Sequence, residues 1–164
     1  MAEPIDETPT NALDYAAINA AWAALLAGVL ASGRSDAPPA SELPVLGLAT
    51  FALSKALAKE KVGAWARVAV VDESEGRPKG SRLRYAAGEL ITCTRCVGTW
   101  SSLGLVGLRV IRPREGRIVA SVLATAAIND WLQAAFSATT SKANAEKKLA
   151  GAPLEEWPSV VDAR

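Results

Sequence analysis

The chain contains no histidine. Its absence removes both the commonest general base and the commonest metal ligand, so neither a catalytic triad nor an imidazole-held metal has a starting point. Cysteine is scarce too: two residues in 164, Cys93 and Cys96, do not make the dense cross-linking of a small secreted domain. No sign of charge dominates. Eighteen basic side chains against 17 acidic ones give a formal net charge of +1, so no large field draws the chain to nucleic acid. A basic leader is also missing. Residues 1–12 carry Glu3, Asp6 and Glu7 with Pro4 and Pro9, the opposite of a signal-peptide start and too polar to pack, so they are expected to form a flexible acidic tail.

What is present is apolar and segmented. Half the residues are hydrophobic and the mean hydropathy is +0.16, yet the charged side chains crowd into a few short stretches between runs of Ala, Leu and Val. This pattern predicts an all-α fold, a small polytopic membrane protein with about four transmembrane helices in a bundle. The membrane domain is expected over residues 13–138, with helices at about 13–32, 43–58, 97–111 and 118–138. Helix one has the length to cross a bilayer, roughly 30 Å at 1.5 Å per residue. Its alanine content keeps open the alternative of a buried helix in a soluble bundle. Helix two is short for a span unless Lys55 snorkels to an interface.

Between helices two and three lies a polar loop, residues 59–96. It holds an amphipathic piece at 62–71, with Trp65 and Arg67, suited to lie on the bilayer surface, and a charged, Gly/Pro-broken connector at 72–84. The basic turn at 112–117 makes helices three and four an antiparallel hairpin. Residues 139–164 form a polar C-terminal tail that starts helical.

Most Lys and Arg residues fall on the side of the termini and the 59–96 loop, with Arg34, Arg109, Arg112, Arg114 and Arg117 opposite. The positive-inside rule therefore places both termini and the cysteine loop in the cytoplasm of a multi-pass protein. That orientation sets Lys55 and Asp130 at similar depth, with Asn129, Asn19, Asp14 and Glu89 on the same inner half. An ionisable group inside a span usually faces the bundle interior and finds a partner, so these residues sketch one intramembrane polar cluster. A purely structural alternative is that they satisfy one another or snorkel to headgroups.

The most distinctive stretch is residues 88–100, GELITCTRCVGTW. Two thiols three apart at a helix start lie about one turn from each other, near enough for one disulfide or one pair of metal ligands. With Gly88, Glu89, Leu90, Thr92, Cys93, Cys96, Gly98 and Trp100 in this order, preceded by Leu53-Ser54-Lys55 and Lys59-Glu60-Lys61-Val62 and followed by Asp130-Trp131-Leu132, the chain resembles an uncharacterised family of bacterial membrane proteins, domain of unknown function 1360. The resemblance spans roughly residues 48–133. Family members often carry Pro and an aromatic where this chain has Thr94 and Arg95, and a His where it has Phe51, so any His-dependent role is absent here. The resemblance implies a protein of the bacterial inner (cytoplasmic) membrane with a Cys-x-x-Cys pair on the cytoplasmic side, and no assigned activity.

The leading expectation is a non-enzymatic structural or partner-binding membrane component. It packs helices through Gly98, Gly104 and Gly107, has the lipid bilayer and a protein partner or a second copy as its partners, and uses no cofactor. A holin-like oligomerising protein is a variant of that class. The alternative is a membrane thiol-disulfide protein using Cys93 and Cys96, with Arg95 and the helix dipole favouring a thiolate; no βαβ pattern of a thioredoxin-like domain surrounds the pair. A metal site is not expected. Zinc would need Glu89 and another carboxylate, or two chains pooling Cys93 and Cys96. Ion passage lacks an inverted repeat or a broken-helix pair.

Overall fold

The structure is a computed structural model and describes residues 8–32 and 37–149. The acidic tail before residue 8, the turn at 33–36 and the end of the C-terminal tail lie outside the described residues. Apart from one small hairpin, the described chain is all-helical.

Helix α1 (Ala12–Ala31) starts with a capping box: the Asn11 side chain accepts the Asp14 N–H, and the Asp14 carboxylate accepts the Asn11 N–H. Two donors that would otherwise be orphaned at the helix start are thereby satisfied. A 3-10 turn at Ala40–Glu42 leads into α2 (Leu43–Lys59), where Pro44 stands at a position that needs no N–H. After Glu60 the chain makes a 3-10 turn, Lys61–Gly63, and a short helix α3 (Ala64–Arg67). Strands β1 (Val71–Asp72) and β2 (Arg77–Pro78) then pair antiparallel, Val71 opposite Pro78 and Asp72 opposite Arg77. Gly76, at φ +66°, supplies the left-handed residue of that reversal. Helices α4 (Leu83–Thr92), α5 (Thr94–Ile111) and α6 (Pro113–Leu149) follow.

Three features depart from the sequence expectations. The 59–96 segment contains a ten-residue helix, α4, where the sequence reading places only a connector and the approach to the cysteines. The 62–71 piece is α-helical only over Ala64–Arg67, and while Val62, Trp65 and Val68 are exposed, Arg67 is buried, its Nη1 donating to the carbonyls of Leu57 (2.6 Å) and Glu60 (3.1 Å) and its Nε to Glu73 Oε1 (2.8 Å). One guanidinium thus satisfies carbonyls at the end of α2, which have no partner within the helix. Finally, α6 begins at Pro113 and not after the basic turn, because proline is preorganised for the first helical position, and it continues past residue 138 to Leu149.

Two helical stretches, Ala12–Ala31 and Pro113–Glu146, are long and apolar enough to cross a membrane, against the expectation of about four. Helix α2 is 17 residues long with two lysines, and α5 carries Arg95 and Arg109 among many small polar residues.

The chain divides into two compact units, residues 1–127 and 128–164. In the first, α2 and α5 form the most extensive helix pair, and α5 also touches α1 and α4. Leu46, Ala49, Leu105 and Ala120 make its core, with Leu53, Val106 and Leu123 against them. Most of the buried hydrophobic residues are alanines: Ala49, Ala52, Ala58, Ala86, Ala120, Ala124 and Ala127. In the second unit the described side chains from Ile128 onward are exposed except for half-buried Asp130.

Candidate functional site: the thiol corner

Cys93 is the single non-helical residue between α4 and α5, at φ −90° and ψ 107°. It closes one helix and opens the next. Its N–H donates to the carbonyls of Glu89 and Leu90, each at 3.2 Å, while its sulfur accepts the Cys96 N–H at 3.4 Å. A residue that caps a helix start through its side chain is usually Ser, Thr, Asp or Asn; here a thiol takes that place. The Cys96 thiol lies 2.9 Å from the Cys93 sulfur and donates to it, and both cysteines are free.

The two thiols are driven apart electrostatically. Cys93 is lowered from its ordinary value, first by the hydrogen bond from Cys96 and then, against the cost of burial, by backbone N–H groups and the charge of Arg95. Cys96, exposed as a residue, is pushed up to about 11 by the partial burial of its thiol, by its bond to Cys93 and the charge there, and by Glu89. A thiol lowered beside one raised is the arrangement in which the first gives up its proton more readily than the second.

The start of α1 is fastened to this corner. Tyr15 donates its hydroxyl to Glu89 Oε2 in a short hydrogen bond, and Thr10 Oγ1 stands 3.2 Å from the same hydroxyl. Asp14, buried, receives Arg82 Nε on both oxygens at 3.1 and 3.3 Å, and the Arg82 N–H donates to the Pro9 carbonyl at 2.7 Å. Arg82 has φ +56°, a conformation rare outside glycine. The corner therefore collects Cys93, Cys96, Glu89 and Tyr15, with Arg95 exposed at the start of α5.

Asn19 is exposed on α1. Lys55 is half-buried on α2, its Nζ 3.1 Å from Glu60 Oε1. Asn129, exposed, and Asp130, half-buried, belong to the second unit. Of the three glycines expected to pack helices, Gly107 faces Val29 of α1, whose Cγ2 is 3.0 Å from where a Cβ would stand, and Gly98 sits beside Ser54 of α2 at 4.0 Å. Gly104 has nothing within 4 Å. Closer backbone approaches occur at Gly63, Gly88 and Gly116; a Cβ on Gly88 would lie 2.6 Å from the Val70 carbonyl oxygen.

Tyr15 and Arg82 escape a reading by sequence because their partners are 74 and 68 residues away. Arg109 left a signal, a cation within the apolar run 103–111 of α5. It is buried and held by Glu42 at 2.6 and 3.0 Å beside a pocket of about 120 Å³ that Arg117 and Ser121 also line. This pair, with Arg117 nearby, holds the Glu42 carboxyl below its usual range. Among the described residues no three His, Cys, Asp or Glu side chains group to hold a metal ion.

The architecture defines a small helical protein with two helices of membrane-crossing length and a dithiol at a helix junction. The chain belongs to the family described as Protein of unknown function (DUF1360), matched over residues 45–136, a stretch that runs from α2 through the thiol corner into α6. No curated protein and no solved structure matches the chain.

Proposed function

We propose that this is an integral protein of the bacterial cytoplasmic membrane, a non-enzymatic component that packs helices in the bilayer and offers a face to a protein partner or a second copy. One observation carries the reading: the distribution of side chains is inverted relative to that of a water-soluble protein. Among the described residues of α1 only Asp14 is buried, while Leu13, Leu25 and Leu30 are exposed. Ile118, Val122, Ile128, Trp131, Leu132 and Phe136 are exposed along α6. Inside, small residues let backbones approach; outside, large apolar ones meet lipid, which costs nothing there and would be a liability in water. Ile128, Trp131, Leu132 and Phe136 share one face of α6 by their spacing, and this stripe is the face offered to the partner. Positive-inside bias supports both termini and the thiol corner on the cytoplasmic side.

The test is extraction of the full chain from membranes of an expressing bacterium. Retention in the pellet after an alkaline carbonate wash, with release by detergent, is the expected result; release by carbonate alone would overturn the reading.

A second reading has its own observation. Two free thiols 2.9 Å apart at a helix start need little movement to join, so the corner suits a reversible dithiol-disulfide centre. Intact mass after alkylation, with and without reductant, tests it: a reducible form two hydrogens lighter is expected, and thiols that stay apart after exposure to an oxidised thiol reagent would sink it.

A further inference from the structure

We infer that the thiol corner divides its labour, Cys93 acting as the attacking thiolate and Cys96 as the resolving thiol, toward the disulfide of a low-molecular-weight thiol. This rests on the second reading above and goes beyond it by fixing the order of the sulfurs and the substrate class. The geometry is asymmetric. The Cys93 sulfur accepts two hydrogen bonds, from the Cys96 N–H and the Cys96 thiol, at the start of the 18-residue helix α5, where the peptide dipoles favour negative charge. Cys96, one turn inside the helix, is the donor in that bond and carries the proton. Arg95 adds a positive charge beside Cys93, whereas Glu89 adds a negative one beside Cys96.

The sequence of steps balances. The Cys93 thiolate attacks one sulfur of the substrate disulfide, forming a mixed disulfide on Cys93 and releasing one thiolate. Cys96 then attacks the Cys93 sulfur, the Cys93–Cys96 bond forms, and the second thiol departs with the proton that Cys96 gives up. Two electrons pass from the cysteine pair to the substrate disulfide, which leaves as one thiolate and one thiol. A small substrate fits the setting: Cys96 is exposed and Cys93 half-buried, so a compact disulfide has access to the pair.

The experiment uses the full chain in detergent micelles with oxidised glutathione as probe, followed by intact mass on the wild type, Cys93→Ser and Cys96→Ser. The wild type is expected to reach the internal disulfide with little mixed adduct. Cys96→Ser is expected to stop at one glutathione on Cys93, and Cys93→Ser to gain its adduct about tenfold more slowly at neutral pH, because the remaining thiol is mostly protonated. A wild type that takes up no glutathione and forms no internal disulfide defeats the dithiol reading itself. If the wild type oxidises but Cys93→Ser reacts as fast as Cys96→Ser, or faster, the dithiol reading stands and the assigned order falls. Oxidation of the wild type by another copy of the chain and not by glutathione, seen as a cross-linked dimer, overturns the substrate class.

Discussion

Two regions of the first unit are held together by opposite means. Where α1, α2, α5 and the start of α6 meet, the contacts are apolar and small apart from the Arg109–Glu42 ion pair at one end: Ala49 and Ala127 are wholly buried, and Gly107 lets α1 approach α5. The 60–93 segment is held by polar bonds instead. Arg67 bridges the end of α2 to Glu73, Asp72 accepts from Ser74, and Arg84 donates twice to the Ala69 carbonyl. Helices whose surroundings are apolar gain nothing from burying large apolar side chains against one another and gain from close contact. A segment bathed in water must satisfy its backbone with side chains and ions. The difference separates a region packed through small apolar contacts from one tied by hydrogen bonds, and the thiols sit where the polar segment passes into α5.

Substitutions that interchange the two devices sharpen this contrast. The largest effect is expected for Arg67→Met, which preserves apolar bulk but takes the donor from the Leu57 carbonyl and one of two from the Glu60 carbonyl, which keeps the Gly63 N–H; about 2–3 kcal/mol of stability should be lost, while Glu73, already 45% exposed, re-solvates. Thermal unfolding of the detergent-solubilised protein measures it, and a loss under half that value would mean that water replaces the guanidinium freely. Next comes Ala49→Leu. At a residue with no exposed surface, three further carbons must separate α2 from α5, at a cost of about 1–3 kcal/mol; in a region held by polar bonds the same change would be tolerated.

Acid should act on the polar segment. Asp72 is lowered by the Ser74 hydroxyl and backbone, and Glu73 by the Arg67 guanidinium. A carboxylate lowered on folding contributes stability that is present above its unfolded pKa and lost as pH falls through the folded value, so the segment should loosen below about pH 4. Limited proteolysis across a pH series locates the cleavage: cuts within 60–93 are expected to appear in acid before the helices yield, and Glu73→Gln should permit part of that cleavage at neutral pH. Simultaneous loss of both regions would remove the distinction. The smallest effect is expected at Gly104, which has open space where a Cβ would stand. Gly104→Ala should stabilise by about half a kcal/mol through helix propensity alone, whereas Gly88→Ala, with the Val70 carbonyl 2.6 Å from the new carbon, should destabilise.

The periodic and compositional features of this chain were legible in one dimension. Alanine and leucine runs bounded by Pro44, Pro113 and short charged stretches mark α1, α2 and α5 to within a few residues, because helix ends answer to local rules of capping and proline geometry, whereas α4 and the full length of α6 were not marked. The adjacency of Cys93 and Cys96 was legible for the same reason, being a matter of one helical turn. Long-range pairing was decided by the tertiary structure alone. That Arg67 turns inward to the end of α2, that Tyr15 and Arg82 reach across to Glu89 and Asp14, and that Gly63, Gly88 and Gly116 mark the tightest backbone approaches depend on which surfaces meet. A hydrogen bond over 74 residues leaves no periodic trace in the sequence. The asymmetry of the two thiols shows both levels at once: their spacing is written in the chain, and the charge of Glu89, set in place by Tyr15 from another helix, belongs to the fold.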